Sequence, residues 1–182
     1  MTITSEEQIM DAIAMKRALR RMSHEILDRN NGPDKLALVG LQTRGIFLAK
    51  RMAGMIGTVE NTTIPVGILD VTMYRDDFRM VMKQPTVKVT SIPFEVKGIT
   101  IVLVDDVFYT GRTVRSALDA IMDFGRPGRV ELAVLIDRGH RELPLFADYI
   151  GKQVKTQADE EVQVRMVEGD GVDEVTLVKL SR

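Results

Sequence analysis

The feature that most constrains the fold is an alternation of short, mostly apolar segments with segments of helical periodicity. Apolar segments span 36–41, 99–104 and 130–136. Between them, 45–56 and 113–124 repeat apolar residues every three or four positions, which predicts amphipathic helices. Strands that are apolar throughout are typical of parallel sheets that helices cover on both faces. The sequence therefore predicts an α/β fold with a mostly parallel central sheet flanked by helices.

The rest of the chain has less regular hydrophobic patterns, which still predict its domain organisation and several further elements. No repeat and no linker rich in Pro, Gly or Ser interrupts it, so we expect a single domain over residues 1–182. The further elements predicted are a helix over 10–28, a strand over 64–71, antiparallel strands over 162–167 and 174–180, a hairpin arm over 86–92, and irregular segments over 72–97 and 138–157.

Composition removes several classes of function. The chain has no cysteine and two histidines, which argues against thiolate zinc sites, cysteine nucleophiles and histidine-rich metal centres. Any metal would be a hard cation on oxygen ligands. A formal net charge of -1 argues against indiscriminate binding of nucleic acid, although it allows a local basic patch. The acidic N-terminus resembles no secretory signal and no apolar run could span a bilayer, so we expect a soluble, cytoplasmic protein without a membrane partner.

The most informative motif follows the apolar run at 99–104. Asp105 and Asp106 come next, and Thr110 to Thr113 then lead into a helix. Ligands of parallel sheets bind beyond the carboxyl ends of the strands. Hydroxyls and backbone N–H groups at a helix N-terminus suit a phosphate dianion, and Gly111 lets the backbone approach it closely. The two acids can hold sugar hydroxyls or hydrated Mg²⁺. The motif thus indicates a ribose 5-phosphate site rather than a simple cap.

In this context the motif resembles the 5-phosphoribosyl-1-pyrophosphate (PRPP) motif of the type I phosphoribosyltransferases. The segment 39–45 resembles their pyrophosphate loop, and 73–77 stands where they have a mobile loop. The segments 136–144 and 147–152 resemble the hood of those members that combine uracil phosphoribosyltransferase activity with regulation of pyrimidine operons. The resemblance implies the type I phosphoribosyltransferase fold, with a flexible loop and a small hood formed mainly by 138–160 and the terminal segments.

The same resemblance implies a reaction and a set of site residues. Uracil and PRPP would give UMP and pyrophosphate, with Mg²⁺ carried in by PRPP near Asp105 and Asp106 and no permanent metal site. These two acids and Arg44 would be catalytic, and Arg138 and the backbone near Val162 would bind uracil. PRPP and its 5-phosphate would contact Val104, Asp105, Asp106, Val107, Phe108, Tyr109, Thr110, Gly111, Arg112 and Thr113, and pyrophosphate would contact Thr43, Arg44, Gly45 and Arg75.

The resemblance further implies UMP-dependent binding to the leader RNA of a pyrimidine operon, and a homodimer or homotetramer. Two residues depart from the family pattern. Arg20 stands where relatives often have a small hydroxyl residue, and Phe146, which would fit a subunit contact, stands where they often have an arginine. The residues expected to bind RNA are Arg17, Arg20, His24, Arg141 and Lys152.

Two alternatives remain open from the sequence. One is a catalytic phosphoribosyltransferase with little or no role in RNA binding, which would keep the acid pair and the phosphate loop. The other is a purine phosphoribosyltransferase. The 6-oxopurine enzymes usually carry an aspartate where this chain has Tyr109, so that residue, together with the hood segment 137–144, favours a pyrimidine.

Overall fold

The central sheet is parallel and covered by helices, as the apolar strands predict. The computed structural model describes residues 2–71 and 90–181. Its elements are β1 (Thr2–Met10), α1 (Ala12–Asn30), β2 (Leu36–Leu41), α2 (Arg44–Glu60), β3 (Val66–Leu69), β4 (Thr100–Phe108), α3 (Arg112–Met122), β5 (Arg129–Asp137), β6 (Tyr149–Gln153), β7 (Glu160–Arg165), α4 (Val167–Asp170) and β8 (Glu174–Ser181). Within these residues, five parallel strands lie in the order β3-β2-β4-β5-β6.

Alternate residues of the central strands face opposite layers. Leu38 and Val102 pack in one cluster with the apolar faces of α1 and α2. Val39 and Leu103, one position further along, pack in a second cluster with α3. Because both faces are buried, every position of β2 is apolar or glycine, which is why its sequence shows no alternation. Because the strands are parallel, their carboxyl ends lie along one edge of the sheet.

A second, antiparallel sheet has the order β1-β8-β7. The predicted pairing of the two C-terminal strands is confirmed, with Val164 opposite Val175. Both residues lie in the same core cluster as α1 and α2, so this sheet packs on that side of the molecule. The sequence did not predict β1, because its residues are mostly exposed and its partner, β8, lies at the far end of the chain.

The central sheet extends beyond its prediction in two places. The strand expected to end at Val104 continues to Phe108, because β5 runs beside it and pairs Val107 with Ile136. The segment expected to be irregular over 138–157 contains β6, which adds to the edge of the central sheet through pairs such as Val134 with Ile150.

The first helix begins later than predicted. Met10 ends β1 rather than opening the helix, and Asp11 is the N-cap of α1. The Asp11 carboxylate accepts a hydrogen bond from the Ala14 backbone N–H at 2.7 Å, which satisfies one of the unpaired amides at the helix start.

Most of the hairpin arm predicted over 86–92 lies outside the described residues, as does Arg75. Of that arm, Ser91 forms an isolated antiparallel bridge with Ile68 of β3. Among the helices that are described, none combines the length and the apolar character needed to cross a membrane.

Candidate active site

A cavity of ≈ 280 Å³ lies at the carboxyl ends of β2, β4 and β5. This is the edge at which the sequence predicts a ligand site, since parallel strands present their following loops together. The lining residues are Gln42, Asp105, Asp106, Val107, Phe108, Tyr109, Thr110, Gly111, Thr113, Val114 and Arg138.

The acid pair forms part of the cavity wall and is held by its own backbone. Asp105 is 7% exposed, and its Oδ1 accepts a hydrogen bond from the Asp106 N–H at 3.0 Å. Asp106 is half-buried, and its Oδ1 accepts from the Val107 N–H at 2.9 Å. These bonds leave both carboxylates lining the cavity in fixed positions. Such a pair can accept hydrogen bonds from hydroxyls or provide oxygen ligands to a hard cation.

The loop after the acid pair presents the start of α3 to the cavity. Gly111 has φ +94°, a left-handed conformation that favours glycine. The first bond of the helix runs from the Arg115 N–H to the Gly111 carbonyl at 2.9 Å, so the preceding amides have no partner within α3. The Thr110 carbonyl accepts from the Glu142 N–H at 3.0 Å, which supports the loop from the hood. The arrangement suits a phosphate dianion.

Glycine at position 45 allows the start of α2 to touch β4 at Val104 and Asp105. A Cβ built on Gly45 would lie 2.3 Å from the Val104 carbonyl oxygen and 3.3 Å from the Asp105 Cα. The predicted pyrophosphate loop, with Thr43 and Arg44, therefore lies beside the acid pair. Gln42, which directly follows β2 within the same predicted segment 39–45, also lines the cavity.

The Arg44 side chain is held by a residue that the sequence did not indicate. Its Nη2 and Nε donate to the two carboxylate oxygens of Asp170, at 3.0 and 3.2 Å. Two turns further along α2, Arg51 donates to both Glu168 and Asp173, over distances of 2.6 to 2.8 Å. The segment around α4 is thus fixed against α2 by ion pairs.

These ion pairs predict a loss of stability in acid. Hydrogen bonds from Arg51 hold the pKa values of Glu168 and Asp173 below their ordinary values of 4.5 and 3.8. Carboxylates with lowered pKa values stabilise the fold fully above about pH 4.5 and progressively less as the pH falls through their folded pKa values. We expect Arg51→Met to lower the free energy of unfolding by about 1 kcal/mol at pH 7 and by less at pH 3.

Urea denaturation at several pH values measures this effect. Arg115→Met, which removes an arginine from an exposed pair on α3, is the matched control and should show a small difference at every pH. If the difference between Arg51→Met and the unmodified chain is the same at pH 7 and pH 3, these acids do not account for the acid sensitivity.

Arg138 connects the cavity to the hood. It is 8% exposed, and its guanidinium lies 4.1 Å from the centroid of the Tyr109 ring. Its Nε donates to Thr156 Oγ1 at 3.2 Å and its Nη2 to the Glu160 carbonyl at 2.7 Å. Val162, predicted to take part in base binding with Arg138, is a half-buried residue of β7 and does not line the cavity.

The residues predicted to bind RNA differ in how far their charges are paired within the molecule. Arg17, Arg20 and His24 are exposed along α1. Arg141 is enclosed in the hood, where its guanidinium lies 3.3 Å from the centroid of the Phe108 ring and pairs with the Asp137 carboxylate. Its charge is therefore paired within the molecule.

Lys152, the remaining residue of that set, is exposed on β6. Its Nζ donates to the Ile9 carbonyl at 2.7 Å, close to the end of β1. Arg21, on the same helix as Arg17, is also engaged, because it donates to the carbonyls of Ile150 and Gly151 at 2.9 and 2.8 Å. Lys152 thus connects β1 to β6, and Arg21 connects α1 to β6.

Comparison with known proteins agrees with this geometry. The phosphoribosyl transferase domain, as a family, matches residues 5–167 of the chain. Bifunctional protein PyrR from Pelotomaculum thermopropionicum is 56% identical over 172 residues, which cover 94% of this chain and 95% of that protein. Bifunctional protein PyrR from Chloroflexus aurantiacus is 54% identical over 175 residues, 96% of each chain.

Solved structures show the same fold at low sequence identity. A hypoxanthine-guanine phosphoribosyltransferase from Bacillus anthracis has a TM-score of 0.69 and 14% identity, with all of both chains covered. The hypoxanthine phosphoribosyltransferase of Trypanosoma cruzi has a TM-score of 0.70 and 13% identity, with 96% of this chain and 97% of that chain covered. At these identities the similarity concerns the fold and does not indicate which nucleobase this chain uses.

Proposed function

We propose that this chain, which belongs to the phosphoribosyl transferase family and is similar to bifunctional PyrR proteins over most of its length, is a uracil phosphoribosyltransferase. It would transfer the 5-phosphoribosyl group of PRPP to uracil, giving UMP and pyrophosphate. The observation that carries the proposal is the single cavity lined by the acid pair, the start of α3 and Arg138. Two carboxylates beside an anion-binding helix start are what a ribose 5-phosphate requires.

Each group of predicted site residues has a role in this proposal. The residues from Thr110 to Thr113 bind the 5-phosphate through hydroxyls and backbone N–H groups. Asp105 and Asp106 hold the ribose hydroxyls and stabilise the positive charge that develops on the sugar ring as pyrophosphate leaves. Thr43, Arg44, Gly45 and Arg75 stabilise the leaving group. Catalysis then depends mainly on positioning and electrostatic stabilisation.

The base would lie at the hood side of the cavity. Arg138 is buried against Tyr109 there, and its position is fixed by Thr156 and the Glu160 carbonyl. We assign Arg138 to the binding of uracil. A contact from the backbone near Val162 stays a prediction, since Val162 does not line the cavity. Tyr109 in place of an aspartate supports a pyrimidine over a purine substrate.

Magnesium fits this cavity as a part of the substrate complex. Among residues 2–71 and 90–181, no three acidic or histidine side chains are grouped as metal ligands. Asp105 and Asp106 offer carboxylate oxygens, and Mg²⁺ commonly binds through one or two carboxylates together with phosphate oxygens and water. When bound with PRPP, the ion would neutralise charge on the pyrophosphate. The two acids would hold that complex, directly or through water.

The assay for UMP tests the catalytic proposal. Purified protein is mixed with Mg²⁺, PRPP and uracil, and UMP and pyrophosphate are measured. We expect both products in equal amounts, with no UMP when EDTA is added. Absence of UMP while hypoxanthine or guanine reacts would identify a purine enzyme instead.

We also propose that the chain regulates a pyrimidine operon by UMP-dependent binding to leader RNA. Its support is a basic face on α1, where Lys16, Arg17, Arg20 and His24 have no acidic partner within the described part of the chain. Arg17 and Arg20 border a groove of ≈ 730 Å³ between α1 and α2, whose floor includes Leu19 and Met55. Basic residues beside an apolar surface suit a single-stranded RNA loop with unstacked bases.

The charged residues of this face predict the salt dependence of RNA binding. Replacing both Arg17 and Arg20 by Ala should weaken binding to the leader RNA about tenfold and reduce the slope of log affinity against log salt by about 1 to 1.5. A filter-binding titration at several salt concentrations, with and without UMP, measures both. The control replaces Lys50 and Lys97 by Ala, since both are exposed lysines that lie outside α1. An equal loss in the control would show that net charge, and not this face, governs binding.

The remaining assignments belong to the same proposal. The whole chain would act as a single domain in the cytoplasm, and it would form a homodimer or homotetramer. Phe146, which is 83% exposed, supports a subunit contact. A catalytic enzyme without regulatory RNA binding is the alternative, and UMP without effect on RNA affinity would favour it.

A further inference from the structure

An acidic segment, which we define as residues 166–173, lies along α2. Arg44 and Arg51 are seven residues apart, about two helical turns, and so project from one face of α2. Arg51 pairs with Glu168 and Asp173, and Arg44 pairs with Asp170. Arg44 is at the cavity end of the helix and Arg51 is remote from it, so the ion pair of Arg44 and the two ion pairs of Arg51 have different surroundings.

The pairing of Arg44 with Asp170 uses only one side of the guanidinium. Asp170 accepts from Nε and Nη2, which is the side-on arrangement. A guanidinium has five N–H donors in a rigid plane, so three remain for another anion. Asp170 and a pyrophosphate oxygen can therefore bind Arg44 together, and contact with one does not require release of the other.

The Asp170 carboxylate is itself fixed. Its Oδ2 accepts a hydrogen bond from the Met166 backbone N–H at 2.9 Å. This N–H and Arg44 both lower the pKa of Asp170, so the carboxylate stays ionised at neutral pH. Met166 is fully buried in the core, which makes the contact a rigid support for the arginine. An arginine held in this way loses less conformational freedom when it binds an anion.

We propose that Asp170 is a positioning residue for the transfer reaction: it holds Arg44 side-on, so that the remaining N–H groups of Arg44 meet the leaving pyrophosphate. The inference rests on the proposed function, because it assigns Arg44 to the pyrophosphate. Glu168 and Asp173 do not share this role. They anchor the acidic segment to Arg51 and act on stability.

The experiment compares Asp170→Asn with Glu168→Gln. Both substitutions remove one negative charge from the acidic segment, and each removes a carboxylate partner of an arginine of α2. Only Asp170→Asn removes the partner of Arg44. We expect Asp170→Asn to weaken Mg²⁺-pyrophosphate binding and to lower kcat/KM for PRPP, each about tenfold, with KM for uracil unchanged. Glu168→Gln should leave all three within about twofold. Asp170→Glu, which restores the carboxylate, should recover part of the loss.

Several results would contradict the inference. Equal kinetic losses in Asp170→Asn and Glu168→Gln would mean that the acidic segment acts only through stability, which thermal unfolding of both variants measures. Tighter pyrophosphate binding by Asp170→Asn would mean that Asp170 withholds Arg44 from the ligand. No change in Asp170→Asn would exclude a role.

Calorimetric titration with Mg²⁺-pyrophosphate does not require turnover. It therefore separates failure of this inference from failure of the proposed function. Unmodified protein that binds pyrophosphate but makes no UMP would contradict the function and leave the comparison of the two variants valid.

Discussion

Replacing Asp105 by Asn should lower kcat/KM for UMP synthesis roughly 10²–10³-fold, the loss typical of one preorganised group that stabilises developing charge. The substitution keeps the size of the side chain and removes its charge. Asp105 is buried at the cavity wall, where an interaction between charges is stronger than in water. Steady-state kinetics with varied PRPP and saturating uracil measure the effect.

Glu131→Gln is the matched control for this prediction. Glu131 is a buried acid of the central sheet, and it lies near the opposite end of β5 from the cavity. It accepts hydrogen bonds from Asn30 and Tyr149 and does not line the cavity. We expect this variant to lose stability and to keep its kcat/KM within a few fold. If it loses as much activity as Asp105→Asn, the loss reflects damage to the sheet and not the chemistry of the site.

Replacing Gly45 by Ala should lower kcat roughly 100-fold, because displacing a catalytic loop by about 1 Å can cost that much. The new methyl group would lie 2.3 Å from the Val104 carbonyl oxygen, so either α2 or β4 must move. Both carry residues of the proposed site. Overpacking of this kind also costs about 1–3 kcal/mol in the free energy of unfolding. Kinetics and urea denaturation of the same preparation give both values.

Gly54→Ala controls for the change of residue type. Gly54 is exposed in the same helix, and a Cβ there would meet no atom within 4 Å. Alanine is a better helix former, so this variant should gain about 0.5–1 kcal/mol and keep full activity. Full activity in Gly45→Ala would show that the close approach of α2 to β4 does not matter for the reaction.

The central sheet and its helices could be predicted because their signal is local. The run 36–41 is buried at every position, and the structure begins and ends β2 at the same residues. The strand β1 could not be predicted in this way. It is mostly exposed, and its hydrogen bonds come from β8, some 170 positions away in pairs such as Glu6 with Val178. Long-range pairing of that kind leaves no apolar pattern in the strand itself.

In the proposed site, too, residues that are contiguous in sequence could be predicted, and contacts between distant residues could not. Asp105, Asp106 and the loop at Thr110 are contiguous in sequence, so one motif revealed the part of the cavity that they form. Asp170 reaches Arg44 only through the packing of α4 against α2, and nothing in its own neighbourhood signals a partner 126 residues away. Arg141 is the opposite case, because its charge suggested a ligand from the sequence. The structure shows that this charge is paired with Asp137 and lies over the Phe108 ring.

Base selection by the purified protein tests the central claim most directly. With Mg²⁺ and PRPP held constant, uracil, hypoxanthine and guanine compete in one reaction, and the nucleotide products are separated and counted. The proposed function predicts UMP as the main product, with a kcat/KM for uracil at least 100-fold above that for either purine. This margin is of the size expected when a site forms hydrogen bonds that the competing base cannot complete. IMP or GMP as the main product would contradict the account.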